Sequence, residues 1–250
     1  MKHKVCIFLI LLMAQLTWAN PINNKAIKVE NAVKVSAGSI ERYLFHSDFV
    51  DDRNVDIWLP DGYTATKKYA VLYMHDGQML YDSSRAWNAK EWDIDTTIDK
   101  LIKKGKIREV IVVGIYNNSN KRHIEYFPQK AIDNIAAPEY QKVMDLMPGG
   151  PLADNYLKFI ISELKPFIDA TYSTKPDQKN TFIAGSSMGG LISMYAICEY
   201  PQIFSGAGCL STHWIGTFDN NKEIPAAFNE YLKLSLIHIS EPTRQAEISY

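Results

Sequence analysis

The order of apolar and polar positions sorts the chain into two kinds of segment. Tyr69-Ala70-Val71-Leu72-Tyr73-Met74 and Val110-Ile111-Val112-Val113-Gly114-Ile115 are continuous apolar runs, the pattern of parallel strands covered on both faces. Asn54-Val55-Asp56-Ile57-Trp58-Leu59 alternates and stops at Pro60, which predicts a half-exposed strand. Between the runs, Ile94, Ile98, Leu101 and Ile102 recur at helical spacing within 92–103, and 155–171 repeats that period. Alternating strands and helices predict an α/β domain with a doubly wound, mostly parallel sheet. The stretch 116–151 is polar and holds Pro128, Pro138, Pro148 and Pro151, so it is expected to be a partly helical excursion. It leaves the carboxyl end of a strand, where ligands bind in open α/β sheets.

A second strand-to-helix transition carries the candidate chemistry. Thr181-Phe182-Ile183-Ala184 is followed by Gly185-Ser186-Ser187-Met188-Gly189 and then by a long apolar segment through Cys198. G-x-S-x-G between a buried strand and a helix is the sequence of a nucleophile elbow, whose serine occupies a strained turn while glycines on either side let strand and helix approach. Ser187 is therefore the candidate nucleophile. Acyl transfer also needs donors aimed at the developing oxyanion. The backbone N–H of Met188, at the start of a helix, is one candidate; the N–H of Gln78, in the turn His75-Asp76-Gly77-Gln78 after an apolar strand, is the other. Trp87, Trp92 and Trp214 are candidates for an aromatic platform beneath a sugar or phenolic group, with Trp214 assigned to substrate binding. His75 is read as ordering its turn, and Asp76 and Asp82 as turn or surface residues; His46 and His123 carry no site signal.

Composition adds limits. With 46% hydrophobic and 22% charged residues the chain is globular in type, and its formal net charge of −1 points to neither nucleic acid nor an anionic membrane as partner. Residues 1–19 combine a basic start (Lys2, His3, Lys4), an apolar core and Thr17-Trp18-Ala19, which reads as a signal peptide removed without leaving a membrane anchor, so the protein is expected to be secreted or periplasmic. Cys198 and Cys209 fall at apolar positions where inert burial is expected. No His, Cys, Asp or Glu cluster has metal-ligand spacing and no glycine-rich phosphate loop opens a helix, so neither metal nor cofactor is expected. Leu234-Ser235-Leu236-Ile237-His238-Ile239-Ser240-Glu241-Pro242-Thr243-Arg244 resembles an in-frame translation of a transposase-type sequencing adapter. On that reading 234–250 is not native, and 20–233 is a single domain cut short at its C-terminal side.

The combination of His75-Asp76-Gly77-Gln78-Met79-Leu80, Trp87-Asn88 with Glu91-Trp92, Val113-Gly114-Ile115 and Gly185-Ser186-Ser187-Met188-Gly189-Gly190 resembles the putative esterase (esterase D-like) family. That family includes enterochelin, feruloyl and acetylxylan esterases and mycolyltransferases. The resemblance spans about residues 40–233 and implies an α/β-hydrolase fold, a Ser-acid-His triad without metal, and an ester or acyl-transfer substrate. It carries over Ser187 as nucleophile and the Gln78 and Met188 amides as oxyanion hole. In α/β-hydrolases the acid and histidine follow the serine in chain order, so with the native sequence read as ending near Lys233 neither is assigned. His213 is left between base, substrate contact and loop packing, and Asp219 follows the preceding strand too soon to serve as the acid. The expected function is an exported serine esterase acting through an acyl-enzyme on a small-molecule or carbohydrate ester, carbohydrate-linked or siderophore-type, with the 250-residue chain itself inactive. Acyl transfer to a carbohydrate hydroxyl and non-catalytic ligand binding on the same fold are the alternatives.

Overall fold

The computed structural model describes residues 25–30, 33–135, 139–217 and 221–237. Among them seven strands form one sheet: β1 (Ala26–Val29), β2 (Ser39–Phe45), β3 (Arg53–Leu59), β4 (Ala70–His75), β5 (Val110–Ile115), β6 (Thr181–Ser186) and β7 (Gly206–Leu210). They lie in the order β1-β2-β3-β5-β4-β6-β7. β4, β5, β6 and β7 are mutually parallel, and β1, β2 and β3 add an antiparallel flank. The helices are α1 (Ile94–Lys103), α2 (Arg122–Tyr126), α3 (Glu139–Asp145), α4 (Ala153–Phe159), α5 (Lys165–Thr171), α6 (Met188–Glu199) and α7 (Glu223–Ile237). This is the α/β-hydrolase type of mixed, largely parallel sheet flanked by helices.

The central strands read as unbroken apolar runs because each face has its own core. Val71 and Tyr73 of β4, with Ile111, Val113 and Ile115 of β5, enter the larger cluster beside α4, α5 and α6. Ala70 and Met74, with Val110 and Val112, enter the smaller one beside α1. Alternate residues thus serve opposite layers, the period of two that a pleated strand imposes. The predicted helix over 155–171 is α4 and α5 joined through a π turn, Ile160–Leu164. Pro166 has no N–H to return to the preceding turn, and the Lys165 N–H reaches the Ile160 carbonyl five residues back, so the chain continues as a helix through the proline.

Several expectations are corrected. β3 is buried along nearly its whole length, where a half-exposed strand was expected. Its outward carboxylate, Asp56, is covered: Arg42 Nε and Nη2 each donate at 2.7 Å to its two oxygens, and Tyr116 adds a hydroxyl at 3.2 Å. A bidentate pair of that kind lets a charged position sit inside the fold. Cys209 is exposed on β7 and Cys198 is half-buried, so neither has the full burial expected of it. β1 and β2 lie outside the predicted elements. The segment 1–19, read as a signal peptide, lies outside the described residues; Leu234 to Ile237 continue α7, and 238–250 lie outside them as well. No described helix is long and apolar enough to cross a membrane.

Candidate active site

The parallel strands point their carboxyl ends the same way, and the loops leaving β4, β5 and β6 meet there. They enclose a cleft of about 510 Å³. Asp76, Gln78 and Met79 come from the first loop, Asn117, Ser119 and Arg122 from the second, and Ser186 and Ser187 from the third; Trp87, Asn88 and Trp92 close one side.

Ser187 sits between the end of β6 and the first residue of α6, with φ 59° and ψ −118°. A non-glycine residue there carries about 1–3 kcal/mol of strain and persists only where its surroundings dictate it. Here they do. The Ser187 N–H donates to Leu210 O at 2.9 Å, and its carbonyl accepts from the N–H groups of Gly190 (3.0 Å), His213 (3.2 Å) and Leu191 (3.3 Å). Gly185 explains the first glycine of the motif: a Cβ there would lie 2.7–2.9 Å from the O, C and Cα of Gly189, which is backbone and cannot yield. Strand and helix cross so closely that only glycine fits.

The two candidate backbone amides both lie in turns at this end of the sheet. Met188 opens α6, so its N–H is one of the donors that a helix leaves without an internal partner. Gln78 lies in the 3₁₀ turn Gly77–Met79, whose first amides are left over in the same way. That turn is pressed against β5: a Cβ on Gly77 would lie 2.6 Å from Gly114 C and 2.7 Å from Gly114 O. The Gly77 and Gly114 positions singled out in the sequence are thus one contact.

Asp76 begins the turn in the left-handed region, φ 58°, ψ 47°, and is buried. Arg122 Nε and Nη2 donate to its two oxygens at 2.8 Å each, and Asn117 Nδ2 donates at 2.6 Å. Asp76 is therefore an internal ion-pair partner in the cleft floor. His75 is fully enclosed, with Nδ1 2.8 Å from the Tyr156 hydroxyl and Nε2 without a partner among the described residues. Burial lowers its pKa to about 4, reinforced by the nearby Arg122 and opposed by Asp76, so the imidazole is neutral at ordinary pH.

The predicted site residues are not all gathered together. Ser187 and Gln78 line the cleft, and Met188 adjoins it. Trp214 does not line it, being 41% exposed on the loop after β7; Trp87 and Trp92 do. His213 is not among the cleft-lining residues, and its ring bonds within its own loop, with Nε2 2.9 Å from Thr217 O. Asp82 accepts from Ser84 in a local turn, and Asp219 lies outside the described residues. No described residue hydrogen-bonds Ser187 Oγ, and among the described residues no His, Cys, Asp or Glu cluster is arranged to hold a metal ion. Asn117, Ser119 and Arg122 were not named individually, although they belong to the segment 116–151 and directly follow the carboxyl end of β5, the position that marks ligand contacts in this architecture.

Comparison with known proteins supplies a family. The family model described as Putative esterase matches residues 47–249. The endo-1,4-beta-xylanase/feruloyl esterase of Xylanibacter ruminicola is 30% identical over 183 residues, which is 71% of this chain and 22% of that protein. The chain spans between 22% and 58% of the length of the first curated relatives it matches. Among solved structures, an IroE-like serine hydrolase from Shewanella oneidensis superposes with a TM-score of 0.56 at 25% identity, covering 80% of this chain and 56% of that one. A ferulic acid esterase from Anaeromyces mucronatus, solved with ferulic acid, shares the fold with a TM-score of 0.50 at 24% identity over 76% of this chain and 62% of its own.

Proposed function

Since this chain belongs to the Putative esterase family, whose matched relatives include a feruloyl esterase, we propose that it is a serine esterase with Ser187 as nucleophile. The observation that carries the reading is the strained, four-fold hydrogen-bonded Ser187 backbone, which sets its side chain in the same cleft as the amide-bearing turn of Gln78. In the proposed reaction Oγ attacks the ester carbonyl carbon and gives up its proton to a base. The carbonyl π pair moves onto oxygen, where the Gln78 and Met188 N–H groups receive it; one such donor typically contributes about 3–4 kcal/mol to the transition state. Collapse of the tetrahedral intermediate expels the alkoxide, which takes up the proton to leave as the alcohol. Water then repeats the sequence on the acyl-enzyme and releases the acid.

Trp87 and Trp92 favour an ester with a planar or carbohydrate portion, in keeping with the ferulic acid held by the Anaeromyces mucronatus esterase and the feruloyl esterase activity named for the Xylanibacter ruminicola protein. The composition of residues 1–19 supports export. Phenylboronic acid tests the mechanism without requiring turnover, because a serine oxygen adds to boron to give a tetrahedral anion that mimics the intermediate. A tetrahedral boron NMR signal is expected with the wild type and not with Ser187→Ala; equal signals from the two would overturn the assignment.

A further inference from the structure

The oxyanion-binding turn does not hold its shape through its own bonds alone. Asp76, its first residue, has a left-handed backbone that costs a non-glycine residue about 1–2 kcal/mol. Its carbonyl receives the Met79 N–H at 2.8 Å, and that bond closes the turn presenting Gln78. Its carboxylate is tied from outside by three bonds, two from Arg122 at 2.8 Å and one from Asn117 at 2.6 Å. The same Asn117 donates its backbone N–H to Gln78 Oε1 at 3.3 Å. All four bonds come from the segment after β5, through Asn117 and the first residue of α2, some forty residues away in sequence. Toward the other wall, Asp76 Oδ2 lies 3.4 Å from where a Cβ on Gly189 would stand, so the clamped carboxylate abuts the first turn of α6, the helix that Met188 opens.

Resting on the serine-esterase reading, we propose that Arg122 and Asn117 are positioning residues. Acting through Asp76, they fix the spacing between the Gln78 and Met188 amides without touching the reacting atoms. The Arg122 fork is committed to both carboxylate oxygens, a geometry that lysine reproduces only in part. Losing it leaves a buried carboxylate held by one amide and frees the turn to relax. A displacement of about 1 Å at such a donor costs on the order of a hundredfold in a reaction, and somewhat less in binding an analogue.

Phenylboronic acid binding to the full chain separates the possibilities, with thermal unfolding as the check on folding. Arg122→Ala is expected to weaken binding about tenfold or more, Arg122→Lys to recover part of the loss, and millimolar guanidinium to restore Arg122→Ala. Asp76→Asn distinguishes positioning from direct contact: loss of the clamp weakens binding, whereas an Arg122 that itself bound the anion would bind it more tightly once freed of Asp76. Should Arg122→Ala fail to fold, Asn117→Ala, which removes only the 2.6 Å bond to Asp76, is expected to weaken binding several-fold. Wild-type affinity in folded Arg122→Ala or in Asn117→Ala, or tighter binding by Asp76→Asn, overturns the positioning role. A tetrahedral signal that survives Ser187→Ala, or its absence from the wild type, overturns instead the serine reading beneath it.

Discussion

Acid should find this fold weak at His75, one residue before the clamped aspartate. The ring is fully buried, its pKa held down to about 4 from an ordinary 6.5, first by burial and then by Arg122, with Asp76 acting in the opposite sense. Below about pH 6.5 the unfolded chain binds a proton there that the folded chain refuses until about pH 4. Stability from this group is therefore complete above the unfolded value, falls as pH drops through the interval, and levels off below it. Each pH unit costs about 1.4 kcal/mol, so between about pH 7.5 and pH 4.5 the loss is about 2.5 kcal/mol, or about 5–10 °C in Tm for a domain of this size. Other groups titrate over the same range, so the comparison is with His75→Gln, whose amide can still meet the Tyr156 hydroxyl but does not titrate. Calorimetry of both proteins across that range should show the wild type losing the larger amount by about that margin. Parallel curves would refute the reasoning and mean that the imidazole takes up its proton in the folded state as readily as in water.

Gly185→Ala places a methyl against the Gly189 backbone and is expected to cost at least about 1–3 kcal/mol in urea denaturation while abolishing phenylboronic acid binding; full retention of both would show that the crossing is not as tight as described. Arg53→Met leaves Glu125, itself 1% exposed, without the two guanidinium donors that hold it at 2.8 and 3.0 Å, and should lose about 3–5 kcal/mol. Adding Glu125→Leu should recover much of that loss, and a single-variant cost below about 1 kcal/mol would contradict the pairing. Trp87, 87% exposed at the cleft, should be replaceable by alanine with no measurable change in Tm yet with a loss of roughly two- to tenfold in affinity for phenylboronic acid, read by isothermal titration; unchanged affinity would remove it from the ligand platform.

The sequence revealed most where one local rule decides the outcome. Unbroken apolar runs flagged the strands with a core on each face, and G-x-S-x-G marked a crossing that admits no Cβ. Legibility failed where distant partners decide. Asp56 reads as an outward polar residue until Arg42 of β2 and Tyr116, just past the end of β5, cover it, and β2 has too mixed a pattern to announce itself. Asp76 likewise looks like a turn aspartate, and only the fold shows that residues 117 and 122 return to seize it. Of the three tryptophans read as a platform, Trp87 and Trp92, from the segment after the 77–79 turn, line the cleft, while Trp214, on the loop after β7, lies outside its lining.

A crystal structure of the chain soaked with phenylboronic acid tests the central claim most directly. The account predicts continuous density from Ser187 Oγ to boron, with one boronate oxygen about 2.7–3.1 Å from both the Gln78 and Met188 nitrogens. Boron bound at another side chain, or on Ser187 with that oxygen turned away from the two amides, would contradict it.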